Sequence, residues 1–189
     1  MAKKIVVTDY ISLDGVIEDP VGMENSGLGN WTGPFKRGAA GDKFKLEELF
    51  AAEALIFGRT TYDAFAVAWP QMKDEAGFAD RMNTLPKYMA SSTQKGASWG
   101  PTTIWNGDLA AAVRAVKADG NGELLIYGSV SVVHQLAPFG LIDEYRLMIY
   151  PTILGAGKRL FPDGARSKLA LAECKQLGDG IVLARYTAD

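Results

Sequence analysis

The chain has 189 residues, of which 48% are hydrophobic and 22% charged, the size and composition of one domain able to bury its own core, and this excludes a disordered chain. With 20 basic against 22 acidic residues the net charge is −2, which gives no pull toward nucleic acid or an anionic membrane, and no apolar run reaches the length of a membrane span or of a signal peptide's core, so the expected location is the cytoplasm. The lone histidine and lone cysteine, His134 and Cys174, exclude a structural zinc site of the usual kind, an intramolecular disulfide and most histidine-based nucleophilic schemes, and no metal is expected.

In chain order, residues 4–9 read as a first strand, and the stretch from Ser12 to about Gly41 as a glycine-rich loop of a length that calls for a functional reason. Residues 44–53 carry a helical pattern, residues 54–57 a buried strand that stops at Gly58, and a short helix starts near Thr60. Residues 86–90 and 102–105 predict further strands. Asp108 then caps a helix whose Leu109, Ala112, Val113 and Val116 share one face before Gly120 stops it. After a buried strand over 124–127, Val132, Val133 and Leu136 lie on one face of a short helix, where His134 reads as a helix-face residue. Strand-like segments at 144–150, 169–177 and 181–186 close the chain, the last two joined by Gly178-Asp179-Gly180, a hairpin turn signal. Cys174 falls in the middle one and reads as a structural thiol. The order predicts a single α/β domain over residues 1–189, an alternating βα body with an antiparallel C-terminal end.

The functional signal lies where strands hand over to helices. At Gly128-Ser129 an apolar strand turns into a helix, and a helix start offers unpaired N–H groups and partial positive charge to a phosphate that a glycine lets come close. Ordinary capping by Ser129 is the competing reading of the same residues. Phe57-Gly58-Arg59-Thr60-Thr61 repeats the arrangement, and Ser91-Ser92-Thr93 follows a third strand end. In an α/β sheet the carboxyl ends of strands line the ligand crevice, so the three could converge on one extended phosphorylated ligand, with Arg59 gripping a monophosphate. Neither the dinucleotide-binding glycine pattern nor a phosphate loop with its lysine is present. A chain poor in nucleophiles and metal ligands but equipped for phosphate suits a borrowed reactive group.

Together, Ser12-Leu13-Asp14-Gly15-Val16-Ile17, Gly58-Arg59-Thr60-Thr61, Ser91-Ser92-Thr93, the Gly128-Ser129 junction and Pro151-Thr152-Ile153-Leu154-Gly155-Ala156-Gly157 resemble, in that order, the dihydrofolate reductase-like superfamily. The closer likeness is to the C-terminal reductase domain of bacterial riboflavin-biosynthesis deaminase-reductases and their stand-alone relatives. The resemblance implies a three-layer α/β/α fold around a mixed sheet, NADPH as cofactor and pairing into homodimers. It places Gly58, Arg59, Thr60 and Thr61 on the adenosine-side phosphates with Ser91 and Ser92 beside them. It further places Gly128, Ser129, Val130 and Val132 on the pyrophosphate and nicotinamide ribose, and Tyr10 and Ile17 at the nicotinamide. Asp14 and Trp31 then become candidates for substrate contact, with Asp14 also the candidate catalytic acid, and Pro151 and Gly155 form the opposite wall.

The expected reaction is hydride transfer from reduced nicotinamide to a C=N or C=O carbon of a small, heterocyclic substrate of pteridine or aminopyrimidine type, the protein chiefly orienting the reactants. Asp-Gly turn formation by Asp14 and core packing by Trp31 are the alternatives for those two residues. A non-catalytic NADPH-binding or sensing module of the same fold is the alternative for the chain, and neither nucleic acid nor membrane is an expected partner.

Overall fold

The computed structural model describes residues 2–188. Eight strands form one sheet in the order β4-β3-β2-β5-β1-β6-β8-β7, with β1 (Lys4–Ser12), β2 (Ala52–Gly58), β3 (Lys87–Ala90), β4 (Thr102–Trp105), β5 (Glu123–Tyr127), β6 (Glu144–Tyr150), β7 (Leu169–Leu177) and β8 (Ile181–Ala188). All pairings among β1 to β6 are parallel, and the antiparallel end comes from β8, which runs against both β6 and β7. The sheet is therefore mixed, as expected.

Helices cover both faces. Ile5, Val7 and Ile11 of β1 pack with Leu109 and Val113 of α4 (Leu109–Ala118) and with Val132, Val133 and Leu136 of α5 (Val130–Leu136). Val6 of the same strand packs on the opposite side, with Leu49 of α1 (Gly38–Ala51), Tyr62 of α2 (Arg59–Ala68) and Met82 of α3 (Phe78–Thr84). A strand buried on both sides reads as a near-continuous apolar run, which is why residues 4–9 show no clear alternation. A third cluster, Trp31, Met148, Tyr150, Leu177, Ile181 and Leu183, anchors the long first loop on the C-terminal strands.

Most expected elements are present, with three differences. α1 starts at Gly38, six residues before the first apolar residue of its pattern, Phe44, and has no capping side chain. α3 was not expected, because its sequence FADRMNT carries a single turn of apolar spacing. Ser129 does not cap α5: it stands in the left-handed region at φ 60 and its side chain makes no capping bond. Asp108 does cap α4, accepting from the Ala111 N–H at 3.0 Å. Cys174 is exposed on β7 and takes no part in the core. Among the described residues, no helix is long and apolar enough to cross a membrane.

Candidate functional site

A cleft of about 1520 Å³ opens at the carboxyl ends of β1, β2 and β5, between the first loop, α1 and the starts of α2 and α5. Its position follows from topology, since β2, β5 and β1 are neighbours and their chain exits diverge there. Gly58, Thr60, Thr61, Gly128, Ser129 and Val130 line one end, and Tyr10 and Ile17 line the wall beside it. Toward α2 and α3 the cleft opens onto Phe65, Trp69, Met72 and Phe78.

Two of the three strand ends singled out from the sequence converge. The Ser129 hydroxyl accepts the Gly58 N–H at 2.8 Å and donates to the Tyr127 carbonyl, so it ties the β2 exit to the β5 exit. A Cβ on Gly58 would lie 3.1 Å from Ser131 Oγ, a tight contact, so glycine suits the close approach of the two helix starts. Gly128 takes φ 56, a left-handed conformation that glycine adopts without cost. The Val132 and Val133 N–H groups bond the Ser129 carbonyl, which leaves the N–H groups of Val130 and Ser131 as the open ones at the start of α5. Into this end reaches Glu24 of the first loop, whose carboxylate accepts the Thr61 hydroxyl at 2.7 Å.

The floor of the cleft is polar and buried. Thr8, Asp9, Lys45 and Glu48 are each no more than 6% exposed. Lys45 pairs with Glu48 and donates to Thr8 Oγ1 at 3.0 Å, while Thr8 Oγ1 donates to Glu48 at 2.9 Å. The ammonium lies 5.3 Å from the centre of the Tyr10 ring and 4.6 Å from that of Tyr127. Burial pulls Lys45 below the ordinary lysine value, with Glu48 opposing. Asp9 Oδ1 accepts the Gly128 N–H at 2.8 Å, and burial pushes its carboxyl up to about 8. Burial likewise raises Tyr10 to about 12, and its hydroxyl accepts from Arg37. Behind Glu48, Arg146 binds Glu144 and Glu123, and Arg185 binds Glu144 and Glu173, a line of ion pairs that runs to the outer strands.

The remaining expected residues fall elsewhere. Asp14 lies outside the cleft lining, its carboxylate accepting from the Ser12 hydroxyl and the Leu154 and Gly155 N–H groups, which hold it down to about 2. Its carboxylate clips the loop that holds Pro151 and Gly155, both exposed. Trp31 is 7% exposed, donates to the Glu18 carbonyl at 2.9 Å and packs edge-on against Tyr150. It anchors the first loop from behind and does not line the cleft. Val132 is fully buried in the core. Ser91 accepts from the N–H groups of Thr93 and Gln94 in its own turn, and Ser92 is exposed, so the third strand end does not line the cleft. Arg59 is exposed and lines a smaller pocket with Thr60 and Asp63 next to the cleft. His134, read as a helix-face residue, lies within 3.2 Å of the Arg159 and Leu160 carbonyls and lines the cleft edge. Asp9, Lys45 and Arg37 were missed; an acid inside an otherwise apolar first strand was the available signal for Asp9. Among the described residues no cluster of histidine, cysteine and carboxylate side chains could hold a metal ion.

The profile of the RibD C-terminal domain family matches residues 3–183. YyaP of Bacillus subtilis strain 168 is 27% identical over 138 residues, 71% of this chain and 73% of YyaP. YwjB of the same organism is 25% identical over 184 residues, 97% of each chain. Among solved structures, a protein assigned to riboflavin biosynthesis from Shewanella sp. PV-4 superposes with a TM-score of 0.76 at 22% identity, covering 100% of this chain and 99% of that one. A pyrimidine reductase-like protein from Corynebacterium diphtheriae gives 0.63 at 14% identity over 99% and 92% of the two chains. RibD of Acinetobacter baumannii gives 0.66 at 16% identity over 100% of this chain and 58% of the RibD chain. The architecture is the dihydrofolate reductase-like α/β fold expected from the sequence, and the chain belongs to the RibD C-terminal domain family.

Proposed function

We propose that this protein is an NADPH-dependent reductase of a small heterocyclic substrate, acting on a C=N or C=O bond of a pteridine- or aminopyrimidine-like ring. The observation that carries the reading is the junction at which the Ser129 hydroxyl binds the Gly58 N–H and presses the starts of α2 and α5 together above a polar floor. Two helix starts side by side suit the paired phosphates of a dinucleotide. Bound NADPH would supply a hydride. Gly58, Thr60 and Thr61 would hold its adenosine-side phosphates, Gly128, Ser129 and Val130 its pyrophosphate, with Arg59 exposed beside them for a 2′-phosphate. Tyr10 and Ile17 flank the place left for the reacting ring, and Phe65, Trp69 and Phe78 offer apolar room for the remainder of the substrate. Positioning of two reactants by itself contributes several kcal/mol, roughly 7–11 at its best. Family membership and the pyrimidine reductase-like neighbour support the same class.

The reading includes a homodimer through the C-terminal strands β6, β7 and β8, of which β7 is an outer strand of the sheet with Leu171 58% exposed. Light scattering of the pure protein checks this, a monomer mass at micromolar concentration being the contrary result. The function is tested by NADPH titration followed by loss of nicotinamide absorbance with a panel of a dihydropterin, an aminouracil nucleotide and a simple cyclic imine. Steady turnover of one of them is expected. Tight NADPH binding with no turnover across the panel would make the protein a binding module instead.

A further inference from the structure

The floor of the cleft contains a carboxyl group that the fold does not fully use. Asp9 lies on β1, 6% exposed, and lines the cleft. One oxygen accepts the Gly128 N–H; the other, Oδ2, is buried with no hydrogen-bond partner. A carboxylate so placed would keep a charged oxygen out of water with nothing to bond, which costs far more than an unpaired neutral group. The charges that face it do not offset this. The Lys45 ammonium is engaged by Glu48 and Thr8, while Glu24 and Glu48 are themselves acidic and oppose a further negative charge. A neutral acid fits instead: one oxygen accepts from Gly128, and the O–H lacks an acceptor. The upward push that burial gives the group agrees with this geometry.

We propose that Asp9 is the proton donor of this cleft: a turn of its carboxyl brings the buried O–H to the cleft wall, where it delivers its proton to the nitrogen or oxygen of the double bond that is reduced there. The proposal rests on the reductase reading above. Reduction of C=N adds a hydride to carbon, from the dihydronicotinamide, and the π electrons move to nitrogen. Nitrogen takes the Asp9 proton, Asp9 becomes a carboxylate, and water restores its proton after product leaves. The substrate's missing contribution is a lone pair, so the class is set: an imine nitrogen or carbonyl oxygen must face β1.

Asp9→Asn tests this, because it keeps the volume and an oxygen that accepts from Gly128 while removing the proton. Three measurements on the full chain are needed: carboxyl titration by NMR of wild-type protein made with labelled aspartate, NADPH affinity, and single-turnover reduction of whichever panel substrate turns over. The expected results are one aspartate titrating near about 8, and a hydride-transfer rate lowered roughly 10²- to 10⁴-fold in the variant. NADPH affinity should be unchanged. Wild-type rate should fall tenfold per pH unit above about 8, and the residual rate of the variant should not. A variant that retains the wild-type rate, or one that loses NADPH affinity with its rate, overturns the role as donor; absence of the high-titrating carboxyl does so even if the variant fails to fold. Failure of the wild type to bind NADPH or reduce any panel substrate ends the reductase reading itself, and the donor role with it, a result distinct from the others.

Discussion

The two ends of the cleft are built on opposite principles. At the β2 and β5 exits the working parts are backbone N–H groups and small residues, held by one hydroxyl, Ser129, that spans 71 positions of sequence. At the floor the working parts are side chains, buried, charged and mutually dependent, gathered from β1, α1 and β5. The first end tolerates solvent and needs shape; the second excludes solvent and needs every partner in place. Recognition of a common ligand group can be carried by geometry that many sequences supply, whereas chemistry at the reacting atoms depends on a few groups whose charge state the burial sets.

If that contrast is right, the floor should be the fragile end. Lys45→Ala leaves the buried Glu48 only the more distant Arg146 guanidinium, 3.9 Å away, and a loss of about 3 kcal/mol in unfolding free energy by urea titration is expected. The double variant Lys45→Met with Glu48→Leu should recover most of it, since Arg146 keeps Glu144 and Glu123; a loss near zero in the single variant would show the floor to be solvated. At the other end, Arg59→Ala should weaken NADPH roughly ten- to hundredfold, the worth of one charge-assisted bond of about 1.5–3 kcal/mol, and leave NADH unchanged. Equal weakening of both would place Arg59 away from the 2′-phosphate.

The pH dependence of stability separates the ends further. The folded carboxyl of Asp9 stands at about 8 against an ordinary 3.8, so its favourable contribution is fully present below about 4 and is lost as pH rises through about 8. About four pKa units are worth about 5–6 kcal/mol, so melting of the wild type should drop relative to Asp9→Asn across that window by roughly 10–20 °C, at roughly 2–4 °C per kcal/mol for a chain of this size. A constant gap from pH 4 to 8 would mean that Asp9 ionises normally. The smallest effect belongs to Glu24. Removing its charge with Glu24→Gln should tighten NADPH about two- to fivefold, the scale of an exposed charge interaction, and unchanged affinity would show that the loop swings clear without cost.

The contrast also explains what could be read from the sequence. Strand ends followed by glycine and hydroxyl residues are local signals, so the junction at Gly58 and Gly128 was legible, as were β3, β4 and the capped α4. The bond between Ser129 and Gly58 is not local, and so Ser129 looked like a cap. Lys45 and Glu48, three residues apart on α1, look like an exposed helix pair; only the packing of α1 on β1 makes them a buried one. Asp14 shows the converse: an Asp-Gly beside the expected active end is conspicuous in the sequence, while two of its side-chain hydrogen bonds come from Leu154 and Gly155, 140 and 141 positions away. Trp31 shows the same limit, its indole engaged by Glu18 and Tyr150 rather than by the cleft.

The place of β1 in the sheet bears on how the chain reaches this state. The first strand of the chain lies between β5 and β6, with Lys4 opposite Glu123 and Val6 opposite Glu144. On a ribosome, its apolar residues must wait for more than a hundred others to be made before either neighbour exists, and parallel pairing over such a separation is slow. The cleft floor is therefore among the last parts to assemble, and until then β1 is an unpaired, aggregation-prone segment that a chaperone would have reason to hold. The threonine and aspartate within it, Thr8 and Asp9, interrupt that apolar run during the interval, before either has any chemistry to perform.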